Sequence, residues 1–248
     1  MRPLQKSYPQ GRVVMTINEL IDNKLLEIYR DQDKRDYLGA SGLGDECARR
    51  IQYHYMHEEP KIKATTVRTF DIGHWLEDLV AQWLLDSGFG LRTRDENDQQ
   101  FGFSTANGKI SGHVDGLIFS CDPEIEKELN VTENPLPWLW ENKTLNHRSW
   151  SETAKHGVFT TKFQYYVQVQ LYMAYLDLDT CLFTALNKDS SELYFEIIKF
   201  DAETAQKYSD RAVDILKAIE SNELLPRIAM DSNFFICKMC GFHDVCWK

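Results

Sequence analysis

The sequence predicts an α/β domain in which a mixed central β-sheet is flanked by helices and followed by a cysteine-rich C-terminal tail. Three observations predict it. Helical and strand periodicities occur in the order helices, strand cluster, helix, two strands, helix, which suits a sheet with a helical cover. The 248 residues, 43% of them hydrophobic, are enough for one sizeable core. No internal repeat, low-complexity run or linker divides them.

Residues 1–15 read as a flexible arm and 16–248 as a single domain. Residues 16–32 carry Ile17, Leu20, Ile21, Leu25 and Ile28 at helical spacing, with Thr16 as N-cap. Residues 65–87 form a second amphipathic helix ending at Gly88. Residues 99–120 read as a hairpin turning at Asn107-Gly108. Residues 138–145, WLWENKTL, are aromatic and bounded by Pro137, as in a strand. A helix over 161–178, strands over 180–187 and 192–200, and a helix over 201–222 complete the body.

No apolar run approaches the roughly 20 residues that span a bilayer, and the N-terminus has no apolar signal core. The expected location is the cytoplasm, of a bacterium or a phage-infected cell. Six cysteines in such a chain read as reduced thiols or metal ligands. The formal net charge of −10 excludes a simple basic DNA-coating protein. It leaves room for an enzyme that concentrates carboxylates around metal and meets DNA through a local basic patch. Residues 143–162, with Arg148, Lys155 and two histidines, are the candidate patch, or else an ordinary solvated face.

Three charged residues converge in apolar surroundings. Asp115 lies in GHVDGLIF, and Glu141 and Lys143 lie in WLWENKTL. Alternation along a strand puts Glu141 and Lys143 on one face. Burying such charges costs several kcal/mol unless a metal or partner compensates. The 25 residues between Asp115 and Glu141 allow the two strands to be neighbours. Phosphodiester hydrolysis calls for this set: a divalent ion activates water and offsets developing charge. Asp115, Glu141 and the Asn142 carbonyl can supply hard oxygen ligands to Mg²⁺ or Mn²⁺. Lys143 can orient the water and stabilise the transition state. A lone E-x-K is ordinarily no more than a surface ion pair; its combination with G-x-x-D carries the signal.

These segments resemble the motifs of PD-(D/E)XK nucleases, particularly the RecB-like branch and the related CRISPR adaptation nucleases. The resemblance covers roughly residues 40–246 and implies a restriction-endonuclease-like core. Gly73 and Glu77 in FDIGHWLEDLV match that branch's upstream helical motif in its acidic form, which implies that Glu77 is a further metal ligand. His74, three residues earlier, is expected to face elsewhere. Gln168 and Tyr172 match the downstream Q-x-x-x-Y, with an implied role in positioning metal, lysine or DNA backbone. At i and i+4 they share a helix face. The resemblance thus implies a Mg²⁺- or Mn²⁺-dependent deoxyribonuclease, by family weight an exonuclease. The rival readings are a non-cleaving DNA-binding or adaptor protein that retains the fold, and a metal-binding regulatory protein.

The tail reads CKMCGFHDVC, with Cys237, Cys240 and Cys246, while Cys47 stands near the other end, followed by Arg49. In RecB-like nucleases with an iron–sulfur cluster, one N-terminal cysteine joins three C-terminal ones. That resemblance implies a 4Fe–4S cluster on Cys47, Cys237, Cys240 and Cys246, a subdomain stapling the two ends together. Zinc on Cys237, Cys240, His243 and Cys246 is the alternative. Cys121 and Cys181 read as buried strand thiols. DNA ends or single strands are the expected partner. Aromatics can stack on unpaired bases; Trp138 and Trp140 read as core, which leaves Trp150 as the stacking candidate.

Overall fold

A computed structural model describes residues 15–248. The arm expected over residues 1–15 falls, Met15 apart, outside the described residues. Helix α1 (Ile17–Arg30) starts at Thr16 through a reciprocal capping box with Glu19. Strand β1 (Leu38–Gly39) and a short helix, α2 (Ala48–Tyr55), follow. Helix α3 (Ala64–Asp86) is the second expected helix, and Gly88 stands just beyond it at φ 95°.

The expected hairpin is present but shorter. Strand β2 (Leu91–Arg92) precedes it. Strands β3 (Gly102–Thr105) and β4 (Ile110–His113) turn through Ala106, Asn107 and Gly108, all at positive φ. The expected second strand breaks after His113. Strand β5 (Gly116–Ile118) leaves β4 and joins another sheet, with Asp115 at the break. Helix α4 (Pro123–Glu128) leads to strand β6 (Trp138–Leu145), whose limits match the expectation.

Helix α5 (His147–Thr161) is an element that the periodicity did not suggest. Asn146 caps it by accepting from the Ser149 amide. It is interrupted at Gly157 (φ 78°, ψ 165°), a conformation that only glycine adopts freely. Helix α6 (Phe163–Leu176), strands β7 (Thr180–Asn187) and β8 (Leu193–Lys199) and helix α7 (Ala202–Glu220) follow as expected. Two single turns, α8 (Phe235–Lys238) and α9 (His243–Cys246), carry the tail cysteines.

The central sheet has the order β2-β5-β6-β7-β8; β6 and β7 are parallel and the other pairs antiparallel, so the sheet is mixed. A second, three-stranded sheet has the order β1-β4-β3. Strand β7 is buried along its whole length, as expected of an inner strand covered on both faces. On one face Leu139, Cys181, Phe183 and Ala185 pack with Val167, Leu171 and Met173 of α6. On the other, Trp138, Trp140, Leu182 and Leu186 pack against Val80, Ala81 and Leu84 of α3. The two tryptophans are core residues, as the sequence suggested. The segment after α7 is tied to α2, where Gln52, 1% exposed, donates to the Glu223 carbonyl at 2.6 Å and accepts from the Leu225 amide at 3.0 Å. Among the described residues no helix is long and apolar enough to cross a membrane.

Candidate active site

Strand β6 is built from alternation. Its even positions, Trp138, Trp140 and Asn142, face α3, and its odd positions, Leu139, Glu141 and Lys143, face α6. The expected pairing of Glu141 and Lys143 on one face is present: the Lys143 ammonium donates to Glu141 Oε1. Gln168 of α6 donates to the same oxygen at 2.6 Å and lies 3.2 Å from the Tyr172 hydroxyl. The other oxygen, Glu141 Oε2, is buried without a hydrogen-bond partner.

Asp115 reaches this group from the adjoining strand. Gly116 pairs with Trp140, so Asn142 stands where the β5–β6 ladder would continue. The chain has left the sheet there, and Asp115 Oδ2 takes the Asn142 amide at 2.8 Å in place of a backbone acceptor. Gly112, the glycine of G-x-x-D, makes room for α6. A Cβ at this position would lie 2.6 Å from the Tyr172 ring.

Glu77 of α3 is half-buried and faces the same centre; it is not the solvent-facing helix charge it could have been. Burial and then Asp115 push its carboxyl up to about 7. His74, expected to face elsewhere, also lines the site and acts on Asp115. The reason is helical geometry, since residues i and i+3 are neighbours on one face.

Electrostatics follow from the crowding. Burial, followed by Asp115, pushes Glu141 up to about 8. Burial raises Asp115 as well, against the pull of Lys143 and the Asn142 amide. Burial works to lower Lys143, but Glu141 and Asp115 outweigh it and hold the ammonium firmly protonated. Burial and then Glu141 raise the Tyr172 phenol. Three carboxylates therefore face one ammonium, which leaves two negative charges over when all are ionised. A divalent cation would offset that surplus, and the unpartnered Glu141 Oε2 offers it a ligand atom. Among the described residues no three His, Cys, Asp or Glu side chains already stand at the separations of an assembled metal shell.

The centre opens into a polar groove of about 470 Å³. Its basic lining comes from Arg35, His74, Arg94 and His113 as well as Lys143. Of the basic stretch expected over residues 143–162, only Lys143 lines it. Arg148, Lys155 and His156 are exposed on α5. Trp150 was expected to stack on bases; instead it packs against the core and its indole donates to the Ala185 carbonyl at 2.8 Å. No local pattern marks Arg35, Arg94 and His113, which come from separate segments.

The four cysteines named from the sequence also meet. Cys47, Cys237, Cys240 and Cys246 line one small enclosed cavity together with His243. Burial, and then Cys47, Cys246 and Cys240, raise the Cys237 thiol. Arg49 lies 3.9 Å from Cys246 Sγ, and Arg227 donates to the Cys246 carbonyl at 2.7 Å. Such a set of soft thiols, with cations beside it, suits a thiolate-bound metal group. Cys181 is buried in β7 as expected, whereas Cys121 lies beyond the end of β5 and is half-buried.

No protein-family model and no curated protein matches the sequence. Among solved structures, SSO0001 is 17% identical with a TM-score of 0.53, over 93% of this chain and 95% of that one. The alkaline exonuclease LHK-Exo from Laribacter hongkongensis is 16% identical with a TM-score of 0.51, over 81% of this chain and 93% of its own. LHK-Exo in complex with dAMP gives 17% and 0.54, over 76% and 90%. At these identities the likeness is one of fold, and it extends over most of the chain.

Proposed function

We propose that this chain is a Mg²⁺- or Mn²⁺-dependent DNA nuclease of the PD-(D/E)XK type, in its RecB-like branch, acting on DNA ends or single strands as an exonuclease. One observation carries the reading: Glu141 has one oxygen fixed by Lys143 and Gln168 and the other buried without a partner, beside Asp115 and Glu77. A structural ion pair does not need that division; a carboxylate that must be both rigid and available does. The fold it shares with an alkaline exonuclease supports the same reaction class.

Asp115, Glu141 and Glu77 would hold the ion, with the Asn142 carbonyl as a further oxygen. When bound, the ion supplies a Lewis acid that lowers the pKa of water and offsets charge on the phosphate. Lys143 stays protonated, so it can donate to the attacking water or to a phosphate oxygen as charge develops. Gln168 fixes Glu141, and Tyr172 braces Gln168. The basic residues of the groove would take the strand's phosphates. Cys47, Cys237, Cys240 and Cys246 would carry a 4Fe–4S cluster as a subdomain of the same nuclease unit. Cys47 and His243 both line the cavity, so zinc on Cys237, Cys240, His243 and Cys246 is the alternative reading.

The test is digestion of end-labelled single- and double-stranded DNA with Mg²⁺ or Mn²⁺, by wild type and by Lys143→Ala. Loss of one such charge-stabilising donor should cost about 10²–10³ in kcat. Equal rates in the two proteins would remove the assignment.

A further inference from the structure

Behind Glu141 and Lys143, on the face of the central sheet that α3 covers, a polar thread runs through an apolar layer. Trp140 Nε1 donates to Thr184 Oγ1 at 3.0 Å, and Thr184 Oγ1 donates to Asn142 Oδ1 at 2.9 Å. The three residues are 0%, 1% and 4% exposed. Around them lie Leu182, Leu186, Ile118 and Val80, which have no side-chain hydrogen-bonding group, and Trp138, whose indole points to the Asn134 carbonyl at 3.5 Å. A buried asparagine in such a layer loses its water and regains only what its partners return. A valine or leucine would pack there without that cost, so the local energetics of the core do not explain the residue.

Its backbone does. The Asn142 amide is the donor that holds Asp115, and Asn142 lies between Glu141 and Lys143 on the strand. Anchoring its side chain to β7 on one face fixes the stretch of β6 that carries Glu141 and Lys143 on the other and the amide that holds Asp115. We infer that Trp140, Thr184 and Asn142 are positioning residues for the metal-binding centre, with the Thr184 hydroxyl as the joint between the tryptophan donor and the asparagine. The inference rests on the nuclease reading. It adds that the reach of Asp115 and the direction of the Asn142 carbonyl are set from the far side of the sheet.

The joint can be cut without changing shape. Thr184→Val keeps the volume and removes the hydroxyl, Thr184→Ser keeps the hydroxyl, and Trp140→Phe keeps an aromatic ring and removes the donor. Each protein is stripped with EDTA and titrated with MnCl₂, without DNA, while thermal unfolding is followed; DNA hydrolysis is then measured at saturating Mn²⁺. In Thr184→Val the Mn²⁺ midpoint of the thermal shift should rise about 10–100-fold, the usual effect of losing a partner behind a metal ligand. Thr184→Ser should restore it, and Trp140→Phe should move it in the same direction; should Thr184→Val fail to fold, Trp140→Phe carries the test. A Thr184→Val protein with a lowered Tm in EDTA but the wild-type Mn²⁺ midpoint would show a packing role only and overturn the inference. A wild type that neither responds to Mn²⁺ nor cuts DNA would instead overturn the nuclease reading itself.

Discussion

Replacing Glu141 with glutamine should make the metal-free protein more stable while removing its response to metal. Burial and Asp115 push the Glu141 carboxyl up to about 8 from an ordinary 4.5. An acid whose folded value lies above its unfolded value must take up a proton to fold wherever the pH lies between the two. Its cost is therefore absent below about pH 4.5, grows as pH rises and levels off above about pH 8. At about 1.4 kcal/mol for each tenfold change in proton concentration, the span from 4.5 to pH 7 costs about 3 kcal/mol. Glutamine has the shape of the protonated acid and needs no proton. Its carbonyl can still accept from Lys143 and Gln168. For a chain of this size, about 3 kcal/mol corresponds to a gain of roughly 6–12 °C in Tm.

The assay is thermal unfolding in EDTA near pH 4, 7 and 9, repeated with Mn²⁺. The variant's advantage should be negligible in acid and largest in alkali. Mn²⁺ at about a hundred times its Kd should then add about 2.7 kcal/mol to wild type and little to the variant. A Glu141→Gln protein less stable than wild type at pH 7, or an advantage that does not change with pH, would refute the reasoning.

The remaining expectations concern packing and the tail. Gly112→Ala places a methyl 2.6 Å from the Tyr172 ring and 2.7 Å from Phe103. Tyr172 is buried and Phe103 is stacked on Tyr175 at 4.4 Å, so overpacking should cost about 1–3 kcal/mol and displace the Tyr172 hydroxyl from Gln168. A wild-type melting curve with wild-type DNA degradation would contradict this. Cys47→Ser should abolish the broad absorption near roughly 400 nm expected of an iron–sulfur protein purified without oxygen. It should also lower Tm, because the tail would lose its tie to α2. Undiminished iron in that variant would remove Cys47 from the ligand set.

What was legible in the sequence was whatever depends on local geometry. Strand parity alone put Glu141 and Lys143 on one face, and i, i+4 spacing put Gln168 and Tyr172 together. The β6 limits were legible because Pro137 and an aromatic run bound a strand that is covered on both faces. The break at Asp115 was not, because GHVDGLIF has the alternation of one continuous strand. At the break the Asn142 amide goes to the Asp115 carboxylate and the Val114 amide to the Phe101 carbonyl, partners that no local pattern shows. Helix α5 was hidden by Gly157, whose conformation interrupts the helical period. The groove's arginines were invisible because each stands in a different segment, and the quartet of cysteines was named only through resemblance, since nothing local links Cys47 to residues 237–246.

The arrangement also explains how one sheet supports so much charge. Three carboxylates and an ammonium share one partly buried site, and burial is the first cause pushing each carboxyl towards its neutral form. Lys143 cannot neutralise all three, so the metal-free site opposes folding increasingly as pH rises above about 4.5 and most strongly above about 8. The rest of the sheet must outweigh that opposition, which is where β7, buried along its full length, and the layer of Trp138 and Trp140 contribute. Substitutions that relieve the charge should therefore stabilise the fold and disable the site, whereas substitutions in the surrounding layers should destabilise the fold first. Stability and function are thus separable by residue: the carboxylates oppose the fold, and the apolar residues on both sides of them sustain it.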